Sequence, residues 1–130
     1  MSDCHKVLVA DDEQSCIDLV RQALDGTPCE VLAAMDGEQA LKMAREHRPQ
    51  LIILDVQMPK LDGFGVFAEL RADQELAGIP VIMLTAVNTR TGLNFSAKDM
   101  DQFIGSKPEA YLDKPIEPIV LRQTVTRLLK

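Results

Sequence analysis

Leu51-Ile52-Ile53-Leu54-Asp55-Val56-Gln57-Met58-Pro59 is the stretch from which the rest of the chain can be read. Four apolar residues, two of them β-branched, run straight into a carboxylate, and a Met-Pro pair follows. A continuous apolar run bounded by turn signals suits a strand buried on both faces, as in a parallel sheet. Pro59 biases Met58 away from helical backbone and ends the strand. Asp55 is thereby placed where a central strand stops and a loop begins, the end of an open α/β sheet that binds ligands. Alone, such an aspartate can equally cap the next turn, and its counterparts in the other strands decide the matter.

Upstream, Lys6 to Ala10 reads as a short buried strand that runs into Asp11-Asp12-Glu13. From Gln14 to Asp25 the apolar residues Ile17, Val20 and Leu24 recur at helical spacing, and Gly26 gives a stop signal. Cys29 to Ala34 is a second strand. Asp36 then has the character of an N-cap, with Gln39 as its capping-box partner. The helix it opens turns Ala40, Leu41 and Ala44 inward and stops before Pro49.

Downstream, Leu61-Asp62-Gly63 turns into a helix bearing Phe67 and Leu70. Pro80 to Thr85 is a fourth apolar strand, and Ala110 to Asp113 a shorter fifth, followed at once by Lys114-Pro115. The last helix starts near Glu117 and presents Val120 or Leu121, then Val125 and Leu128, to a core. Strands alternating with helices imply right-handed crossovers and a parallel sheet covered on both sides. From Ala86 to Pro108 only Met100, Phe103 and Ile104 suggest an apolar face. A long irregular loop with a short helix near Lys98 to Ile104 is expected there, and long loops in compact domains tend to be functional or mobile.

The whole of residues 1–130 reads as one domain, without repeat, low-complexity tract or linker. A net charge of −6 argues against a nucleic-acid surface, which needs an excess of Lys and Arg. The basic residues form no run that would suit a membrane surface, and no apolar stretch approaches the ~20 residues of a membrane span. No apolar signal-peptide core follows the N-terminus, so a cytoplasmic protein is expected. Cys4, Cys16 and Cys29 are odd in number and not at metal-ligand spacing, and Cys16 and Cys29 fall in apolar surroundings. His5 and His47 lack zinc-spaced partners.

Four strand ends thus present polar groups to one edge of the sheet: Asp11-Asp12, Asp55, Thr85 and Lys114. Carboxylates crowded together repel, and the arrangement calls for a divalent cation, a raised pKa, or both. Oxygen-only ligands favour a hard ion such as Mg²⁺. Such a site can neutralise a phosphoryl group and orient it towards a carboxylate nucleophile. Lys114 can balance phosphate charge and the Thr85 hydroxyl can bond a phosphate oxygen. Each residue also has a plainer reading: Asp11 and Asp12 as helix caps, Thr85 as a β-branched strand residue, Lys114 as a solvated lysine. Met58 and Pro59 shape the loop over the site.

Taken in order, Asp11-Asp12, the Asp-x-x-Met-Pro-x-x-Asp-Gly run from Asp55 to Gly63, Thr85-Ala86, and Tyr111-Leu112-Asp113-Lys114-Pro115 resemble a two-component response-regulator receiver domain of the stand-alone, chemotaxis-regulator type. The resemblance extends along essentially the whole chain. It implies a flavodoxin-like fold with five parallel strands in the order 2-1-3-4-5. It implies that Asp55 is a phosphoacceptor supplied by a sensor histidine kinase or a phosphotransfer protein, giving an acyl phosphate. Asp12, Asp55 and the Gln57 carbonyl would ligate Mg²⁺, with Asp11 acting through a metal-bound water. Lys114 and Thr85 would contact phosphoryl oxygens, helped by the backbone N–H groups of Gln57 and Ala86. Tyr111 matches the family's switch aromatic, and the Lys114-Pro115 bond would be cis. The output would be contact with a downstream protein target, and the only reactions catalysed would be the domain's own phosphorylation and dephosphorylation.

The chain departs from the pattern in two places. The span from Thr85 to Lys114 is longer than receivers usually show, which extends the loop and helix before the last strand and puts the usual docking face in doubt. It also ends Gly105-Ser106-Lys107-Pro108-Glu109 in place of the familiar Gly-Ala turn. Gln57 and Val87 flank the route of an attacking water, and Val87 offers it no polar group, which predicts slow loss of the phosphoryl group. Competing readings are a phosphorylation-independent receiver-like adaptor, an aspartyl-nucleophile phosphohydrolase and a flavodoxin-like cofactor binder. The hydrolases place Asp-x-Asp on their first strand and usually carry a cap domain. The cofactor binder would need a Gly-rich loop after a strand, and there is none here.

Overall fold

The computed structural model describes residues 5–58, 61–86, 109–114 and 116–129, and in it strands and helices alternate as far as the fourth strand. They are β1 (His5–Ala10), α1 (Gln14–Ala23), β2 (Cys29–Ala34), α2 (Gly37–His47), β3 (Leu51–Asp55), α3 (Gly63–Ala72), β4 (Val81–Ala86), β5 (Ala110–Lys114) and α4 (Pro118–Leu129). All the strand pairings are parallel, in the order β2-β1-β3-β4-β5. The expected doubly wound sheet is therefore the one observed. The long loop and the short helix expected near Lys98 to Ile104 fall outside the described residues, as do Val87 and Pro115.

Side chains alternate between the two faces of a strand, so one sheet serves two cores. Leu8, Ala10, Ile52, Leu54, Val81 and Met83 pack beneath α2 and α3, against Ala40, Leu41, Val66, Phe67 and Leu70. Val7, Val9, Leu51, Ile53, Ile82 and Leu84 pack beneath α1 and α4, against Ile17, Val20, Leu121 and Val125. Every residue of β3 is buried. That explains its unbroken apolar run: a strand with helices on both sides has no solvent face on which to place polar residues. Each such side chain contributes about 2 kcal/mol on leaving water.

The helix ends follow their caps. Asp36 accepts a hydrogen bond from the Gln39 N–H at 2.8 Å, and the Gln39 side chain accepts from the Met35 N–H at 2.7 Å. This is the expected capping pair, with its return bond one residue earlier than in the usual box. Asp62 caps α3 by accepting from the Gly65 N–H at 2.8 Å. The first helix stops at Ala23, before the Asp25 limit set by its periodicity, and Gly26 turns the chain with φ +86. Arg48 closes α2 in the left-handed region, φ 46, where no glycine announced a stop. In α4 it is Leu121 that enters the core, while Val120 is 43% exposed.

Candidate functional site

Alternation along the strands sorts the polar groups at the carboxyl edge. Ala10 and Leu54 face α2 and α3, so Asp11 and Asp55, each one residue further on, turn to the face covered by α1 and α4. Lys114 has the parity of Leu112 and turns the same way. The Asp11 N–H donates to the Ala34 carbonyl at 3.0 Å and the Val56 N–H to the Leu84 carbonyl at 3.1 Å, so the sheet ladder runs to the edge of the site.

Lys114 is the centre of this cluster. Its Nζ lies 2.9 Å from Asp11 Oδ2, 3.2 Å from Glu13 Oε1 and 3.3 Å from Asp55 Oδ2. The other oxygens are held by backbone: Asp11 Oδ1 accepts from the Glu13 N–H at 2.9 Å, and Asp55 Oδ1 from the Gln57 N–H at 3.4 Å. Asp11 is fully buried and Asp55 is 5% exposed, whereas Asp12 is exposed. Asp11, Asp12 and Asp55 each bring a carboxylate oxygen within 4.8 Å of the others. Two buried carboxylates and one exposed one form an oxygen-only donor set that fits a hard divalent cation.

Burial pushes the Asp55 carboxyl up to about 6, and the charge of Asp11 adds to this, while Lys114 and the Gln57 N–H pull it back down. Burial works against the charge on Lys114. Its hydrogen bond to Asp11 and the charges of Asp55 and Asp11 outweigh that, and hold the ammonium above the usual lysine value. Burial also pushes the Cys16 thiol up to about 12, reinforced by a hydrogen bond to Asp11 and by its negative charge. These groups form one electrostatic unit.

The remaining candidates lie elsewhere. Gln57 sits on the loop past β3, joined to Asp55 through its N–H. The Thr85 hydroxyl donates to Asp113 Oδ1 at 2.8 Å, and both residues have the parity of the α2/α3 face. Tyr111 is half-buried against that same core layer, in register with Met83. Three residues of the site were not singled out from sequence. Glu13 had a signal, since it follows Asp11-Asp12 on the same loop. The sequence surrounds Cys16 with apolar groups; it is buried among them but also meets the Asp11 carboxylate. Asp113 gave no signal, because its partner is set by the β4–β5 register.

The chain resembles known proteins along most of its length. Residues 7–126 match the family model of the response regulator receiver domain. The chain is 37% identical over 127 residues to the alkaline phosphatase synthesis transcriptional regulatory protein PhoP of Bacillus subtilis, an alignment covering 96% of this chain and 48% of that protein. Among solved structures, the chemotaxis response regulator CheY4 of Vibrio cholerae superposes with a TM-score of 0.80 at 32% identity, over 97% of this chain and 99% of that one. The receiver domain of the sensor histidine kinase PA1611 from Pseudomonas aeruginosa, solved with a magnesium ion in its active-site cleft, gives 0.78 at 26%, over 96% and 97%. The chain belongs to the response regulator receiver domain family, whose members are signalling domains of two-component systems. It spans about half the length of the curated relatives it matches. No described helix is long and apolar enough to cross a membrane.

Proposed function

We propose that Asp55 is the phosphoacceptor of a two-component pathway, taking a phosphoryl group from a histidine kinase or phosphotransfer protein in a Mg²⁺-dependent reaction. The observation that carries this reading is the setting of Asp55: a buried carboxylate 3.3 Å from Lys114 Nζ, inside a three-carboxylate cluster at the carboxyl end of β3. Asp11, Asp12, Asp55 and the Gln57 carbonyl would hold the metal, which when bound supplies charge neutralisation for the entering phosphoryl group. A carboxylate oxygen of Asp55 forms the new O–P bond as the donor's P–N bond breaks, and the donor imidazole leaves with a proton from solvent. Lys114 is the cation at hand for the phosphoryl oxygens, and the Thr85 hydroxyl is a further donor to them. The domain catalyses only this transfer and the later hydrolysis, and residues 1–130 act as one unit. The reaction belongs in the cytoplasm, and its output is a shift between two states of a protein-binding surface that involves Thr85 and Tyr111.

The test is intact mass after incubation with acetyl phosphate, with Mg²⁺ or with EDTA, on wild type and Asp55→Asn. One added phosphoryl group is expected on wild type with Mg²⁺ alone. Wild type that stays unmodified with both acetyl phosphate and a phosphorylated histidine-kinase domain would instead favour a phosphorylation-independent adaptor. Multiple turnover of a phosphomonoester would favour a hydrolase.

A further inference from the structure

Thr85 and Asp113 are paired across β4 and β5, and the carboxylate accepts a hydrogen bond from the hydroxyl at 2.8 Å. Strand alternation puts both side chains on the α2/α3 side of the sheet, with Met83 and Tyr111, and puts Asp11, Asp55 and Lys114 on the α1/α4 side. A threonine hydroxyl has a single proton to give. While it is given to Asp113, it is withheld from any oxygen bound at Asp55. An ionised acceptor makes this bond roughly twice as strong as one to a neutral group. Threonine is also stiff at χ1, so its hydroxyl leaves Asp113 by a rotamer jump that breaks the bond outright.

We infer that Asp113 is a positioning residue, a latch that holds the Thr85 hydroxyl on the far side of the sheet and so slows acyl-phosphate formation at Asp55. The inference rests on the proposed role of Asp55 and adds to it a reason for the rate. Phosphorylation must release the latch before Thr85 can donate to a phosphoryl oxygen. Removing the acceptor leaves the hydroxyl free from the start. Asparagine in place of aspartate keeps an oxygen at the same position while removing the charge, so it retains the latch.

The experiment is the rate at which acetyl phosphate modifies the protein in Mg²⁺, followed by intact mass. In the reaction the donor P–O bond breaks, an Asp55 O–P bond forms and acetate leaves. Asp113→Ala is expected to raise the rate about fivefold, the scale of one lost hydrogen bond, and Asp113→Asn to stay within about twofold of wild type. In a Thr85→Ala background, Asp113→Ala is expected to change nothing, since the hydroxyl it restrains is gone. An Asp113→Ala rate equal to wild type, equal acceleration by Asn and Ala, or acceleration that persists without Thr85 would each overturn the latch while leaving Asp55 as phosphoacceptor. Wild type that takes no phosphoryl group from acetyl phosphate or from a phosphorylated histidine-kinase domain would overturn both.

Discussion

As the proposed nucleophile Asp55 would have to be ionised, yet burial and the neighbouring Asp11 both favour its neutral form. Its carboxyl is raised from 3.8 to about 6 in the folded protein. A group raised in this way binds its proton more tightly folded than unfolded. It therefore favours folding below about pH 4, and that contribution is lost as the pH rises through about 6. Asp55→Asn removes the charge without removing the shape. In metal-free buffer it is expected to be more stable than wild type by about 2 kcal/mol at pH 7.5, with the gap closing towards pH 4. Urea denaturation of the two proteins at both pH values measures this, and a gap that does not depend on pH would contradict it. Cys16 shares the same pressure. Its thiol, pushed up to about 12 and buried, is expected to resist iodoacetamide in the native protein at pH 8 and to react only on unfolding. Peptide mass mapping reads the difference directly. Of this residue-scale picture, Asp11, Asp12, Asp55 and Lys114 were legible because each ends a strand of recognisable pattern. The charge triad around Lys114 was only half legible, since Glu13 looks like an ordinary loop carboxylate until its distance to Lys114 is known.

At the scale of elements, the loop from β3 into α3 is shaped by backbone proximity. The Gly63 N–H donates to the Val56 carbonyl at 2.8 Å, which seats the first turn of α3 against the end of β3. A Cβ on Gly63 would meet the Asp55 carbonyl oxygen at 2.3 Å and Val56 Cα at 2.9 Å. Backbone cannot yield as a flexible side chain would. Gly63→Ala is therefore expected to cost about 2–4 kcal/mol and to slow modification of Asp55 by displacing it. Thermal unfolding together with the acetyl phosphate rate tests both halves. A variant as stable and as fast as wild type would refute the contact. Strand types and most helix faces could be read from the chain because a strand covered on both sides admits only apolar residues, and α2 repeats its small and apolar positions on one face. The ends were harder. Arg48 takes a left-handed cap that its type does not advertise, and the choice between Val120 and Leu121 turns on the small rotation at which α4 meets the sheet.

For the whole molecule, the two core layers share one sheet, and polar contacts join the segments that flank it. Arg71 is the clearest. Its guanidinium donates to the Ala77 and Ile79 carbonyls, each at 3.0 Å, pairs with Glu109 at 3.0 Å and lies 4.6 Å from the Phe67 ring centroid. Glu109 Oε1 in turn accepts from the Val81 N–H at 2.7 Å. One side chain thus joins the end of α3, the turn before β4 and the start of β5. The side chain of Arg71 is only 12% exposed, so its loss leaves carbonyls and a carboxylate poorly solvated. Arg71→Ala is expected to lower stability by about 2–3 kcal/mol. The urea midpoint should fall with an unchanged slope, and a midpoint within error of wild type would contradict the account. This tie was not legible from sequence, because it depends on where Glu109 enters the sheet.

Locating the modification decides whether the cluster serves to phosphorylate one particular aspartate. The protein is treated with acetyl phosphate and Mg²⁺, reduced with borohydride to trap any acyl phosphate, digested and mapped by mass spectrometry. Reduction is expected at Asp55 alone and is abolished by omitting Mg²⁺. Reduction at Asp11 or Asp12, or at none of the three with the metal present, would contradict it.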